Sequence, residues 1–88
     1  MAELSVFPNP ASGSMQIAVS VTKDSKISLS IFNLLGEKVA DIAEENLNAG
    51  TASYLVDGQK LTTGVYLCRM VITSGQEVKT LVKRIVKE

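Results

Sequence analysis

Two stretches of this chain alternate so strictly that they decide its fold class. In "QIAVSV", Ile17, Val19 and Val21 fall on one side and Gln16, Ala18 and Ser20 on the other. In "KISLSIF", Ile27, Leu29 and Ile31 oppose Lys26, Ser28 and Ser30. Side chains of a strand repeat every second residue, so this pattern predicts strands with one buried and one wet face, as in antiparallel sheets. Two further stretches, Thr51–Asp57 and Gly64–Thr73, are dense in β-branched and aromatic residues. In the second, Tyr66, Cys68, Met70 and Ile72 form the predicted core face, because the opposite face carries Arg69. Val65 and Leu67 on that opposite face are then partly covered or lie at an edge.

The remaining segments are less regular. Glu77–Lys87 mixes polar and apolar residues on both faces, which predicts a bulge or a terminal edge strand. "GEKVADIAEENL" has some helical character through Val39, Ile42, Ala43 and Leu47, but a short strand through "KVADI" suits its neighbours better. Turn signals separate the runs at Asn9-Pro10, Lys23 to Ser25, Asn33 to Gly36, Asn48 to Gly50, Asp57-Gly58, Thr62 to Gly64 and Ser74 to Gln76. About seven short strands in one domain of 88 residues predict an all-β, antiparallel sandwich of immunoglobulin type. A chain of this size buries roughly 60–65% of its unfolded surface, which implies a modest stability on the order of 5 kcal/mol.

"VFPNPASG", Val6 to Gly13, holds both prolines of the chain. Pro8 and Pro10 fix φ, remove two donors and keep the preceding residues extended, and Asn9 can close a turn through its side chain. The stretch predicts a rigid corner between a first strand, Leu4 to Phe7, and a second beginning near Ser14. "MAELSVF" at the start reads as an initiator, Met1 and with it Ala2, placed ahead of a piece of a longer protein.

The residues for common chemistry are scarce. Nine basic and nine acidic residues cancel, so no overall field attracts nucleic acid or an anionic membrane. Histidine is absent, which excludes Ser-His-Asp and Cys-His arrangements. The single cysteine, Cys68, permits no internal disulfide and reads as a buried core residue. Asp41, Glu44 and Glu45 form an acidic cluster without the loop spacing of a calcium site, and Asp57-Gly58 reads as turn chemistry. Six glycines are dispersed singly, so no phosphate-cradling loop forms. The chain is therefore expected to be no enzyme and to take no metal, cofactor, nucleic acid or small-molecule substrate. The basic tail, Lys79, Lys83, Arg84 and Lys87 with Ile85 and Val86, has two readings. Lysines protect an exposed edge strand, or the edge is a docking strip whose basic side chains choose the partner.

Taken together, "VFPNPASG", "ISLSIFNLLGEKV", "LTTGVYLCRMV" and "KRIVKE" resemble the C-terminal sorting domain, type A, of the type IX (Por) secretion system of the Bacteroidetes. The resemblance spans about Leu4 to Glu88. Its motifs are Pro8-Asn9-Pro10 after an apolar pair, then Asn33 and Gly36 after the alternating strand. Gly64-Val65-Tyr66 and the basic terminal strand follow. Cys68 stands where an aliphatic or aromatic residue is more usual. Flagellar hook-capping immunoglobulin-like domains share the Gly64 to Tyr66 pattern but not the Pro-Asn-Pro opening or the basic end. The resemblance implies a non-catalytic label on an N-terminal passenger protein, carried through the periplasm to the outer-membrane translocon. A sortase-like cysteine peptidase then removes it at the cell surface, and the passenger is released or joined to lipopolysaccharide. Within it, Lys79, Lys83, Arg84, Ile85, Val86 and Lys87 are the expected recognition residues. The other motif residues, Pro8, Asn9, Pro10, Asn33, Gly36, Gly64, Val65 and Tyr66, are mainly structural. The competing expectation is an accessory immunoglobulin-like spacer or interaction module. Self-association through an edge strand is also open.

Overall fold

A computed structural model describes residues 2–88, and Met1, read above as an added initiator, lies outside them. Seven strands follow one another as β1 (Ala2–Phe7), β2 (Met15–Val21), β3 (Ser25–Asn33), β4 (Lys38–Leu47), β5 (Gly50–Val56), β6 (Gly64–Ser74) and β7 (Glu77–Lys87). One 3-10 turn, Gly58–Lys60, precedes β6, and the Asp57 carboxylate caps it by accepting from the Gln59 amide at 3.0 Å. The strands pair antiparallel throughout, in a three-stranded sheet β1-β2-β5 and a four-stranded sheet β4-β3-β6-β7, and Ala11, outside the strands, adds an isolated parallel bridge to Lys87. This is the immunoglobulin-like sandwich that the alternation predicted.

The core comes from the predicted faces. Ile17, Val19 and Val21 of β2 are buried against Ile27, Leu29 and Ile31 of β3 and against Tyr66, Cys68, Met70 and Ile72 of β6. Each aliphatic side chain and Met70 among them contributes about 1.5–3 kcal/mol on full burial, so these central strands hold the sandwich together. Val65 and Leu67 are half-buried on the outer face. Ser25 and Ser30 are also buried, and their hydroxyls donate to the Lys23 carbonyl at 2.8 Å and to Asp41 at 3.2 Å.

Two details differ from the sequence reading. The β6–β7 ladder runs without a register shift from Gly64↔Lys87 to Ser74↔Glu77, so β7 is an edge strand with no bulge. The irregularity lies in β4, where Ile42 and Val39 are extra residues opposite the Leu29/Ser30 and Ile31/Phe32 steps of β3. Two bulges in one strand scramble its period of two, which is why β4 imitated a helix and extends well beyond "KVADI". The aromatic residues divide: Tyr66 is buried, Tyr54 and Phe32 are half-buried, and Phe7 is exposed.

Candidate functional site

The β6–β7 hairpin carries most of the residues singled out above. Its turn is only Gly75-Gln76, with Gly75 at φ 61°, where a glycine at the first turn position matches the twist of the strands. Gly64 starts β6 at φ 154°, outside the range comfortable for other residues. Two residues on, the Tyr66 hydroxyl donates to the Thr62 carbonyl at 2.7 Å and lies 2.9 Å from the Thr62 hydroxyl. A buried tyrosine whose hydroxyl returns to backbone just upstream pins the entry to the strand, as tyrosine corners do in other sandwiches. Gly64, Val65 and Tyr66 thus fix the start of β6, and through the ladder they fix Ile85, Val86 and Lys87 opposite.

The far end of β7 is tied to the segment that holds the two prolines. The Phe7–Pro8 and Asn9–Pro10 bonds are both cis. The Asn9 side chain makes no local turn; it reaches across to β7. Its amide donates to the Arg84 carbonyl at 2.8 Å, and its carbonyl accepts from the Val86 amide at 3.0 Å. Ala11 continues the pairing: its amide donates to the Val86 carbonyl at 2.9 Å and its carbonyl accepts from the Glu88 amide at 2.8 Å. The Lys87 ammonium donates to the Ser12 carbonyl at 3.3 Å and to the Glu88 carbonyl at 2.9 Å. Gly58 closes this corner from beneath, since a Cβ there would stand 1.9 Å from the Gly13 carbonyl oxygen. The motif that opens the sequence and the strand that ends it are therefore one structural unit.

This clasp divides the free edge of β7. Val86 points its amide and carbonyl away from β6, and these groups alternate along a regular strand, so Val78, Thr80 and Val82 do the same. Among the described residues no backbone group takes them, so the edge is closed from Arg84 to Glu88 and open from Val78 to Val82. A shallow groove beside the open part runs between the edge strands β1 and β7, lined by Glu3, Leu4, Ser5, Leu81, Val82 and Lys83. Lys79, Lys83 and Arg84 are exposed and Val86 is half-buried. Ile85 and Lys87 depart from the expected strip: Ile85 is 0% exposed in the core and Lys87 is folded under the clasp, so neither offers a surface.

The other candidates resolve into structure. Burial pushes the Cys68 thiol up to about 12 from the ordinary 9.0, which keeps it protonated and inert. Within the acidic cluster each carboxylate has its own partner: Lys38 for Asp41 at 3.0 Å, Lys26 for Glu44 at 3.6 Å and the Tyr54 hydroxyl for Glu45. No group of three or more His, Cys, Asp or Glu side chains able to hold a metal occurs among the described residues. Asn33 organises the β3–β4 turn, its side-chain carbonyl accepting from the Leu35 amide at 2.9 Å and the Glu37 amide at 3.0 Å. Gly36 completes that turn at φ 88°, and Leu34 and Leu35 project from it.

A family model for the secretion system C-terminal sorting domain matches residues 5–87, and so includes both the clasp and the strand it holds. The chain belongs to this family. Among solved structures it is similar to dimeric latent PorU from Porphyromonas gingivalis, with a TM-score of 0.76 and 18% identity. That match covers 100% of this chain and 9% of the PorU chain, so it supports the fold alone. No curated protein matches. As a type IX sorting domain, the chain is a secretion signal. Such a signal is attached to a passenger, handled by the type IX system, and carried by proteins exported to the cell surface or beyond.

Proposed function

We propose that this sorting domain acts as a folded, non-catalytic address label that the outer-membrane translocon reads at β7. A sortase-like cysteine peptidase at the cell surface then cuts it from its passenger. The observation that carries the reading is the family match over residues 5–87 together with an uncapped β7 edge from Val78 to Val82. An open edge offers main-chain hydrogen bonds to an added strand, and Lys79, Lys83 and Arg84 beside it select a partner with carboxylates. Two copies pairing along the same edge would use the same groups.

The experiment fuses the chain behind a reporter with an export signal in a type IX-competent cell. Reporter at the cell surface is the expected result, and reporter held in the periplasm overturns the reading. Removing "KRIVKE" is a poor probe of docking. It deletes Ile85 from the core together with the backbone partners of Asn9 and Ala11, so loss of folding would imitate loss of recognition.

A further inference from the structure

The outer face of the four-stranded sheet is two surfaces. On the β3–β4 half, polar groups satisfy one another: Lys26 pairs with Glu44, Lys38 pairs with Asp41, and Ser30 donates to Asp41. The β6–β7 half differs. Its cross-strand rows are Phe32–Leu67–Arg84, Ser30–Arg69–Val82 and Ser28–Val71–Thr80. Val82 is 52% exposed, and the turn residue Leu34 beside this region is 66% exposed. Arg69 and Arg84 are exposed, and neither has an ion pair among the described residues. Arg69 lies over the Phe32 ring, 5.8 Å from its centre, which holds the guanidinium in place above the apolar surface. A shallow groove beside this pair is lined by Phe32, Leu34, Gly36, Leu67, Arg69 and Val82.

Apolar residues around Arg69, held over Phe32, and around the exposed Arg84, with no carboxylate on β6 or on the outer face of β7, suit a protein contact better than a wet face. Resting on the sorting-label reading above, we propose that this face docks a protein of the export machinery whose surface is apolar and presents carboxylates to Arg69 and Arg84. The charges argue against a second copy, because a two-fold pairing of the β6–β7 half sets arginines against arginines, and neither β6 nor the outer face of β7 carries a carboxylate to meet them. They also argue against a lipid surface, since Glu37 stands in the same turn as the projecting Leu34 and Leu35.

The test uses the same reporter fusion. Arg69→Glu with Arg84→Glu, and separately Val82→Glu, should lower surface delivery at least tenfold, the fold-change of about 1.4 kcal/mol of lost contact. Arg69→Lys with Arg84→Lys should keep most of it. Leu55→Glu, at a 71% exposed site on the opposite sheet, should leave delivery unchanged. Thermal unfolding of each fusion confirms that the variants are folded. Normal delivery of the glutamate variants, with the parent delivered, overturns the docking face alone. Failure of the parent overturns the sorting reading and this proposal with it. A fusion dimer dissolved by Val82→Glu, or binding to anionic phospholipid vesicles abolished by it, assigns the face to another occupant and overturns the proposal.

Discussion

Asn9 substitutes for a strand residue. Its side-chain amide carries a donor and an acceptor in the same arrangement as a peptide group, and it uses both on β7. Asn9→Ala removes two hydrogen bonds and should cost about 1–2 kcal/mol in urea unfolding, with faster amide exchange at Val86. Asn9→Asp keeps the acceptor for the Val86 amide but turns a carboxylate oxygen towards the Arg84 carbonyl, so it should be no better than alanine. Gly58 tests the same corner from below. An added methyl meets backbone at 1.9 Å, which no side-chain rotation relieves. Gly58→Ala should therefore destabilise on the order of 1–3 kcal/mol by displacing the Gly13 backbone, read as a lower melting temperature. Neither role was legible in the sequence. A proline-flanked asparagine and an Asp-Gly pair both look like local turns, and their partners lie far along the chain. Cys68 was legible, because its place in an alternating strand defines its face.

At the scale of the strand, β7 keeps the groups that fold the domain apart from those of the proposed docking. The Thr80 amide faces away from β6, so Thr80→Pro removes an outward donor and leaves the ladder intact, as proline does on natural edges. The Leu81 amide faces β6, so Leu81→Pro breaks the ladder and should cost about 3 kcal/mol or more. If the translocon adds a strand here, Thr80→Pro should keep the melting temperature and lose reporter delivery. Delivery at the parent level would reject backbone pairing as the mode of recognition. Strands β2, β3 and β6 were legible because each keeps a strict period. β4 was legible only in part, since two bulges moved Val39 and Ile42 out of step. The basic tail was legible as an edge strand, but which of its residues face water was not. That depends on the clasp over Lys87 and on Ile85 reaching the core.

The whole molecule should show a stability plateau with two different edges. Cys68 and Tyr54 are both raised in the folded state to about 12, from ordinary values of 9.0 and 10.0. Burial is the cause at Cys68, and at Tyr54 burial acts with the hydrogen bond to Glu45 and its charge. A group with a raised folded pKa contributes fully below its unfolded pKa, so this stability is present below pH 9 and drains away towards pH 12. Asp41 and Glu77 are lowered, chiefly by hydrogen bonds from Lys38 and Lys23, with Ser30 also donating to Asp41. Their contribution is present above pH 4.5 and is lost as the pH falls, and it is small because both are exposed. Melting temperatures should therefore be flat from about pH 5 to 8.5, with the steeper fall on the alkaline side. Within that plateau a thiol reagent should leave Cys68 unmodified until the sandwich unfolds, and rapid labelling of the native protein would contradict its burial.

The clasp also bears on timing. Asn9 and its partners on β7 stand 75 to 77 positions apart, almost the length of the domain. A ribosome has to finish β7 before the proline segment has anything to grip, and a chain stopped short keeps that segment loose. An unfinished or frayed copy thus lacks the anchored end of β7, next to the open edge that the proposed receptor would grasp. If export waits for that edge, the label doubles as a completeness check on the protein that carries it.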